Sequence, residues 1–536
     1  MNPNKSFKKS FKKSQQNSSI NCCKPVVLLV LILLGCWVGF LFFKVFSIRQ
    51  DQSFIDRVPS NYLTPQTGQH RIPQPLVPGV PPPPPPQLRA EPVIPVREVQ
   101  HDSPTEPVHA SSPSDATSEL DDTYHIVFST GCSEFQDWQS IGVYSSAIAV
   151  GQRGIITRIA SGCKPEQEQA IRHAMSHLPA NCRVHFAPNT EVRDHKGHIY
   201  KYANKPLGMM HWLTYADPPI PPSATVALCD PDFFFLRPLY HDSFDHPSKY
   251  FASGKSKKTP MPKRMTKGTM VAQRYGIGGA PWRTGPGKNG QKAWGLKAYL
   301  TSIGRPNSPA LAPDLNEQSA SAFYSFGAPY IALAEDWLPI ATNWTNLMPM
   351  AVERNFGNLA EMYACSIAVA DYGIRPVQID SLMISNVNCD DEGWKWIDKI
   401  PMDRGCDPSI LTDPAYPLPT FMHYCQGYKV KDFEDAHKSH PGVAPNWKYT
   451  KYQVPNEILD CPAGSKALEG GSASRKKKAG GIMHLTEDGF LPEPPVSVDA
   501  HGDIKEFRNI FSNCVSTRAT NQAAVDYRRW FCEVAH

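Results

Sequence analysis

From residue 124 onward, short apolar runs alternate with longer segments whose apolar positions recur at helical spacing. Strands are predicted at 124–130, 154–159, 182–186 and from 225 up to the proline at 231. Helices are predicted between them at 135–150, 166–178 and 204–215. A β-α-β-α-β-α-β order is typical of a largely parallel sheet with helices on both faces. We therefore expect an α/β sandwich, and the alternation corresponds to the first half of a nucleotide-binding fold.

The pattern is less regular after residue 253. Residues 254–318 are rich in Gly, Pro, Lys and Asn, which predicts long loops. A strand at 330–334, a long helix at 353–372 and a short strand at 421–424 follow. After Cys461 come paired glycines and a run of Arg and Lys, typical of a solvated linker, and then a helix-like segment at 522–534. We predict a globular domain over 123–460 and a linker with a small C-terminal segment over 461–536.

The amino-terminal residues form a basic tail followed by an apolar run. Residues 1–24 carry six lysines and no acid, and 25–43 are apolar without interruption. A helix of about 20 such residues crosses the hydrocarbon core of a membrane. A cleaved signal peptide is the alternative, but its apolar region is roughly 7–15 residues long and precedes small residues. Here Phe-Phe-Lys-Val-Phe follows. Since lysines keep the amino terminus in the cytosol, we predict a cytoplasmic tail at 1–24, a transmembrane signal anchor at 25–47 and a lumenal remainder.

Residues 48–122 have little periodicity and many prolines. The chain has 52 prolines in 536 residues, well above an average of roughly 5%. Six of them are consecutive at 81–86, and such a run forms a polyproline II rod of roughly 19 Å. A ligand for SH3 or WW domains is the alternative, but no such domain is expected on the lumenal side. We expect a stem that holds the globular domain away from the membrane.

Composition and cysteine usage narrow the functional classes. The net charge of +5 is too small to indicate a nucleic-acid partner, and we find no zinc spacing, Walker motif or Rossmann glycine fingerprint. Eleven cysteines follow the membrane span, and an oxidising lumen should pair several of them, although spacing does not give the connectivity. Cys514 and Cys532 are candidates to staple the C-terminal segment, whereas Cys229 is expected to be a free core thiol. Asn343, in Asn-Trp-Thr, is the one lumenal acceptor for N-glycosylation.

The strand that begins at Thr225 ends in two carboxylates separated by a proline. Pro231 has no backbone donor and a fixed φ, so the strand stops there and places Asp230 and Asp232 at its carboxyl end. Ligands bind at that edge of open α/β sheets. Two carboxylates held close together repel each other, and a hard divalent cation with a diphosphate relieves that repulsion. The alternative is an ordinary surface turn.

Six groups of residues occur in a fixed order along 124–430. They are Asp137-Trp138-Gln139; Gly-Ile-Ile-Thr-Arg at 154–158; Asn204-Lys205-Pro206 with His211-Trp212-Leu213; Asp230-Pro231-Asp232 with Arg237-Pro238-Leu239; Trp344-Thr345-Asn346 through Leu359-Ala360-Glu361-Met362-Tyr363-Ala364 to Tyr372-Gly373-Ile374; and His423-Tyr424 with Gly427. Together they resemble motifs of a plant and algal group of Golgi enzymes, the hydroxyproline O-arabinosyltransferases and peptidyl serine α-galactosyltransferases. The chain departs from that group at Lys205, where Arg is commoner, and in the long insertion at 254–318.

The resemblance implies a GT-A-like glycosyltransferase domain and a nucleoside-diphosphate sugar as donor, specifically a UDP-sugar. It also implies Mn²⁺ or a similar ion as cofactor, and retention of configuration at the anomeric carbon. It also implies a single-pass type II protein of the Golgi (or ER) membrane with a lumenal catalytic domain.

The metal site has three predicted ligands. Asp232, with Asp230 directly or through water, is expected to bind the ion that bridges the donor diphosphate and neutralises charge on the departing nucleotide. His423 is the candidate third ligand, because imidazole suits Mn²⁺ when carboxylates supply the rest. The alternative for His423 is a partly buried histidine that binds no ligand.

Two acids are candidates for the sugar. Glu361 lies on an otherwise apolar helix, where a buried acid needs a partner. It contacts the sugar or its oxocarbenium-like centre, or else it pairs with a nearby Lys or Arg. Asp336 is the alternative sugar contact.

Basic and amide side chains are candidates for the donor. Asn204 and Lys205 lie at a helix start, which favours anions, although Asn204 as a simple cap is the alternative. Arg158 and Arg274 are candidates for diphosphate contacts, with ordinary salt bridges as the alternative. The lysines within 255–267 form either a solvated loop or a lid over the donor.

The sequence therefore predicts a Golgi glycosyltransferase that acts on hydroxyproline or serine hydroxyls of a protein acceptor. No general base is assigned, because retaining transfer does not require one. Hydrolysis by a carboxylate pair needs acids about 5–9 Å apart across a sugar, which is farther than expected for Asp230 and Asp232. The rival from another class is a non-catalytic, membrane-tethered lectin-like or scaffold protein.

Overall fold

The computed structural model describes residues 123–533 apart from 253–259, 286–292, 355–358, 391, 431–447, 462–465, 468–484 and 497–499. All of these residues belong to one compact unit, Ser111–His536. The predicted cytoplasmic tail, membrane anchor and stem lie outside the described residues. Among the helices described, none has the length and apolar character needed to span a membrane.

The strands follow the predicted positions closely in the first half of the chain. They are β1 (Tyr124–Thr130), β2 (Ile155–Ser161), β3 (Cys182–Ala187), β4 (Thr225–Cys229), β5 (Phe233–Phe235), β6 (Val271–Arg274), β7 (Phe326–Leu333), β8 (Val377–Ile379), β9 (Met383–Ile384), β10 (Phe421–His423), β11 (Tyr428–Lys429), β12 (Lys448–Tyr449), β13 (Lys466–Ala467) and β14 (Cys532–Glu533).

The helices occupy the segments between these strands. They are α1 (Glu134–Ala149), α2 (Pro165–Met175), α3 (Asn204–Tyr215), α4 (Leu296–Ser302), α5 (Glu317–Phe323), α6 (Ala334–Glu353), α7 (Ala360–Asp371), α8 (Trp394–Ile397) and α9 (Ile504–Phe531). Helix α3 begins and ends at the predicted residues.

A seven-stranded sheet is the centre of the fold. Its strand order is β3-β2-β1-β4-β7-β6-β8. Every neighbouring pair is parallel except the two that involve β7, which runs against β4 and β6. Strands β1, β2, β4 and β7 are buried along their whole length, as expected for a sheet covered on both faces. The prediction of a mostly parallel α/β sheet is confirmed.

A second, three-stranded sheet follows directly from the Asp-Pro-Asp segment. Strand β10 lies between β5, to which it is antiparallel, and β9, to which it is parallel. The register pairs Phe233 with His423. This pairing brings the residue after Asp232 next to a residue nearly two hundred positions later in the chain.

Two predictions in the middle of the chain were wrong. The helix predicted at 353–372 corresponds to α7, which begins only at Ala360, and Glu353 is instead the last residue of α6. Helix α6 was missed because Pro339 and Pro349 lie inside it, and proline normally signals a helix end. The predicted loop region 254–318 also contains β6, a strand between β7 and β8 in the main sheet.

The C-terminal helix is longer than predicted and packs on the main domain. Helix α9 begins at Ile504 rather than near residue 522, and it contacts α1. Its buried face includes many polar residues, such as Ser512, Asn513 and Thr517, so the apolar periodicity that marks most helices is absent.

Disulfides fix the C-terminal helix to earlier parts of the chain. Cys514 pairs with Cys406, and Cys532 pairs with Cys461. Both predicted staples are therefore present, each with a partner before residue 462. Cys229 is buried and free, as predicted.

Candidate functional site

The Asp-Pro-Asp segment lies at the carboxyl edge of the main sheet. The chain passes from β1 to β2, which lies on one side of β1. Strand β4 lies on the other side of β1 and runs parallel to it. The sheet therefore has a topological switch point between β1 and β4, where open α/β sheets bind ligands. Strand β4 ends at Cys229, so Asp230 and Asp232 follow at this crevice.

Two carboxylates and one imidazole converge there. One ligand atom each of Asp230, Asp232 and His423 lies within 4.8 Å of the others. Nε2 of His423 is 3.3 Å from Oδ1 of Asp232 and 3.9 Å from Oδ2 of Asp230. The β5–β10 pairing positions the histidine, and the backbone N–H of Tyr424 donates to the carbonyl of Asp232 at 3.1 Å. The structure thus brings the three predicted ligands together.

Lys205 joins Asp230 to Glu361. Its Nζ is 2.6 Å from Oδ1 of Asp230 and 3.1 Å from Oε1 of Glu361. Burial alone would lower the pKa of Lys205, but the two carboxylates raise that pKa above its ordinary value, so the ammonium stays charged. Burial raises the pKa of Glu361, and Lys205 opposes that rise. Lys205 and Glu361, both predicted site residues, therefore lie at the site. Glu361 also has the lysine partner expected under the alternative, in which it pairs with a nearby Lys or Arg.

A second lysine, Lys451, was not predicted. Its Nζ is 2.5 Å from Oδ2 of Asp232, and its side chain is 15% exposed. It belongs to a short 3₁₀ helix, Lys451–Gln453, and lies 219 positions from Asp232. No local motif surrounds it, so the sequence carried no signal for it. Only the folding of the C-terminal part over the sheet places it here.

Neighbouring charges within the cluster shift the pKa values of its buried groups. Three carboxylates face two ammonium groups and one imidazole, and buried charges are stable only when they are paired in this way. Burial would raise the pKa of Asp232, but His423 and Lys451 lower it well below its ordinary range. Burial would lower the pKa of His423, but Cys425 and Asp232 raise it well above its ordinary value.

The donor set fits a divalent cation. Two carboxylates and an imidazole form a mixed oxygen and nitrogen set that suits Mn²⁺. The lysines occupy Oδ1 of Asp230 and Oδ2 of Asp232, whereas the other oxygen of each carboxylate faces Nε2 of His423. An ion can therefore bind these inner oxygens and, once His423 has lost its proton, the imidazole, while both lysines keep their contacts.

Asp336 lies near the start of β4, at the opposite end of the strand from Asp230 and Asp232, so the structure does not place it in this cluster. The backbone N–H of Ala334 donates to the carbonyl of Ala224, which precedes β4. Asp336 is thus near the start of β4 and Asp230 follows its end, and five strand residues span roughly 17 Å. Its carboxylate accepts from the backbone N–H of Gly268 and the hydroxyl of Tyr372.

Two further donor candidates make hydrogen bonds within the protein. Oδ1 of Asn204 accepts from the backbone N–H of Thr190 at 2.6 Å, and its Nδ2 donates to Asn189 at 3.0 Å. The side chain therefore does not cap α3. Arg158 is buried and donates to Thr130 and Asp137, so the ordinary salt bridge is the observed alternative.

Arg274 remains a candidate. It is the last residue of β6, which runs in the same direction as β4, so it lies at the same edge as the acids. The lysine segment is divided, because 255–259 lies outside the described residues and Lys267 pairs with Glu335 at the opposite edge. The described end of this segment therefore does not cover the site.

The predicted glycosylation acceptor is buried. Asn343 lies inside α6 with 8% exposure, and its Nδ2 donates to Oδ2 of Asp371 at 2.5 Å. A glycan on this nitrogen would remove that hydrogen bond and require the helix to separate from its neighbours. The folded chain therefore does not present Asn343 as an acceptor.

Comparison with known proteins gives relatives over short segments. No family model matches the chain. A 98-residue segment is 32% identical to the peptidyl serine alpha-galactosyltransferase of Arabidopsis thaliana and covers 17% of this chain and 11% of that protein. A 130-residue segment is 28% identical to the protein of the same name from Chlamydomonas reinhardtii and covers 24% and 16%. The chain resembles peptidyl serine alpha-galactosyltransferases. The resemblance found in the motifs is confirmed, and the chain spans only these small fractions of the relatives' lengths.

Solved structures give a weaker likeness. The bifunctional glycosyltransferase WbbM has a TM-score of 0.29 at 11% identity, covering 57% of this chain and 46% of that one. The galactosyltransferase LgtC with donor and acceptor sugar analogues has 0.28 at 12%, covering 56% and 87%. Mouse xyloside xylosyltransferase 1 has 0.28 at 10%, covering 56% and 96%. Likeness at this level carries no argument, so the α/β assignment rests on the strand order.

Proposed function

We propose that this chain is a metal-dependent glycosyltransferase that moves a sugar from a UDP-linked donor to a hydroxyl of a protein acceptor, with retention at the anomeric carbon. The acceptor residue is hydroxyproline or serine. The observation that carries the proposal is the convergence of Asp230, Asp232 and His423 at the switch point of the sheet. The segment matches to proteins named peptidyl serine alpha-galactosyltransferase support the same class.

The residues of the site divide into holding and orienting roles. Asp230, Asp232 and His423 would hold the ion, which supplies positive charge against the charge that develops on the departing diphosphate. Lys205 keeps its proton and holds Asp230 and Glu361 in place from one position. Because the cluster is largely buried, its fixed charges act in a medium where they are stronger than in water.

Glu361 is proposed to face the sugar. It is buried in the first turn of α7 and shares Lys205 with Asp230. A carboxylate at this place stabilises positive charge that develops on the sugar ring as its bond to the diphosphate breaks. Its contact with Lys205 keeps the side chain oriented and opposes the rise in pKa caused by burial.

Location is part of the proposal. The basic tail at 1–24 and the apolar run at 25–43 support a single-pass type II protein of the Golgi or ER membrane with the described domain in the lumen. Protease protection of a C-terminal tag in sealed microsomes tests this orientation. Digestion of the tag without detergent would refute it.

The activity test uses the full-length chain purified in detergent. UDP-galactose and UDP-arabinose are each incubated with Mn²⁺ and with peptides containing serine or hydroxyproline, and the peptide mass is measured. We expect transfer with one donor and acceptor pair, and loss of transfer on chelation of the metal and in Asp232→Asn. Asp245→Asn, which changes an exposed aspartate away from the cluster, is the matched control and should retain transfer. Absence of both transfer and donor hydrolysis in the unmodified chain would refute the proposal and favour the lectin-like or scaffold alternative.

A further inference from the structure

The two lysines of the site differ in how many carboxylates hold them. Lys205 contacts two, Asp230 and Glu361, at 2.6 and 3.1 Å. Lys451 contacts one carboxylate in the described part of the chain, that of Asp232 at 2.5 Å. Both side chains are largely buried, with 11% and 15% exposure, so water offers little compensation if a partner is lost.

An ion at the inner oxygens affects these two lysines unequally. It would lie between Oδ2 of Asp230, Oδ1 of Asp232 and Nε2 of His423. Both ammonium groups would then lie near a divalent positive charge, which repels them. Lys205 retains Glu361 as a separate anion. Lys451 is left with only the carboxylate that the ion itself now shares.

Contacts of the residues on either side of Lys451 hold its main chain beside the site. The ring of the next residue, Tyr452, stacks on Phe135 with centroids 5.7 Å apart and planes 2° apart. Before it, the hydroxyl of Tyr449 forms a hydrogen bond with that of Thr520 at 2.9 Å. Nζ of Lys451 lies 5.4 Å from the Tyr452 ring centroid. Lys451 therefore lies beside the site with Asp232 as its carboxylate partner in the described part of the chain, and an ion that shares this carboxylate leaves the ammonium without a separate anion.

We propose that Lys451 couples the metal ion to the nucleoside diphosphate: its ammonium opposes the ion alone and favours the ion together with a diphosphate, which supplies the missing anion. The inference rests on the proposed function, because it takes a nucleoside diphosphate as the ligand. By linkage, the lysine makes each of the two ligands tighten the binding of the other. It is thus a positioning residue for the donor, and it makes an ion bound without donor unfavourable.

The test measures binding rather than turnover. The affinity of the full chain for Mn²⁺ is measured by calorimetry with and without UDP, and that for UDP with and without Mn²⁺, in the unmodified chain and in Lys451→Met. We expect the substitution to tighten Mn²⁺ binding in the absence of UDP and to weaken UDP binding in the presence of Mn²⁺. The factor by which one ligand tightens the other should fall about tenfold, within the 5–150-fold range usual for coupled sites.

Two variants serve as controls. Lys448→Met removes an exposed lysine from strand β12 in the same segment and should leave both affinities unchanged. Lys451→Arg keeps the positive charge and should keep most of the coupling. Thermal unfolding of each variant verifies that the chain still folds, and Lys451→Gln, which also removes the charge but keeps a polar end, carries the test if Lys451→Met does not fold.

Other outcomes overturn the inference. If Lys451→Met weakens Mn²⁺ binding without UDP, the lysine only orients Asp232. If it changes neither affinity, Lys451 is an ordinary buried ion-pair partner. If the unmodified chain binds Mn²⁺ and UDP independently, there is no coupling to explain, although the proposed function survives. If it binds neither ligand, the proposed function fails as well.

Discussion

Helix α7 carries a buried carboxylate at each end, and the two are held in different ways. Glu361, in the first turn, shares Lys205 with Asp230 in a cluster that contains a third carboxylate. Asp371, the last residue, accepts hydrogen bonds from the hydroxyl of Ser308 and from Nδ2 of Asn343 and pairs with Arg305. The first end therefore gathers acids, whereas the second surrounds one acid with donors.

This difference supports the proposed functional role of Glu361 and indicates a structural role for Asp371. Burial is similar at the two ends, with Glu361 and Asp371 each 3% exposed, so burial alone does not mark a site. Asp371 has donors for both oxygens and needs no further ligand. Glu361 lies among like charges that repel one another unless a cation joins them, and this arrangement is typical of sites that bind ions or phosphates. Ten residues of helix, about 15 Å, separate the two environments.

The largest expected effect follows from removing an acid of the cluster. Asp232→Asn should reduce Mn²⁺-dependent donor turnover by about 10³-fold, because it removes a ligand charge and leaves Lys451 without its carboxylate. UDP release from the purified chain measures it. Turnover within a few-fold of that of the unmodified chain would contradict the proposal that the charged cluster at the first end of α7 is the functional site.

Glu361→Gln should have the next largest effect. We expect turnover to fall by about 10²-fold because the charge facing the sugar is lost, while Mn²⁺ affinity changes little since Glu361 is not one of the inner ligands. Turnover and Mn²⁺ binding are measured on the same preparation. Unchanged turnover would show that Glu361 only holds Lys205, and the two ends of α7 would then be alike.

Asp371→Asn should act on stability instead. The amide keeps the shape but loses the charge that pairs with Arg305, so we expect the free energy of unfolding to fall by about 2 kcal/mol. Urea unfolding measures the loss, and Asp245→Asn is the exposed control. Turnover per folded molecule should be unchanged, and a selective loss of turnover would contradict the comparison.

The smallest effect belongs to edge strand β3, which neither acid contacts. The pKa of His185 is lowered to about 4, first by burial and then by His211 and Arg172. Because the unfolded chain binds this proton near pH 6.5, stability is fully present above that pH and is lost as the pH falls toward 4. The side chain is partly exposed, so the loss should be about 1 kcal/mol or less.

The check compares the melting temperature with that of His185→Gln between pH 7 and 4. The two curves should diverge as the pH falls. Parallel curves would show that the histidine pair adds nothing to the pH dependence.

Much of the fold could be predicted from local patterns, and every residue of the charged cluster except Lys451 was named from the sequence. The strands and helices up to residue 229 are marked by apolar runs and helical spacing, because burial against both faces of a sheet imposes those patterns. Pro231 stops a strand by its own covalent structure, so the two aspartates could be placed at a strand end. Helix α6 was missed because its prolines give a local signal that tertiary packing overrides.

The sequence by itself determined the order of the elements, the position of the paired carboxylates after β4 and the residue types that would accompany them. Only the tertiary structure decided the direction of β7 relative to β4. Because β7 runs antiparallel, Asp336 lies at the wrong edge despite its suitable chemistry. Only the tertiary structure added Lys451, since no local pattern relates residues 219 positions apart. The physical reason is that backbone conformational preferences and the spacing of buried positions in a helix or strand depend on a few neighbouring residues. The groups that surround a charged side chain depend on the path of the whole chain.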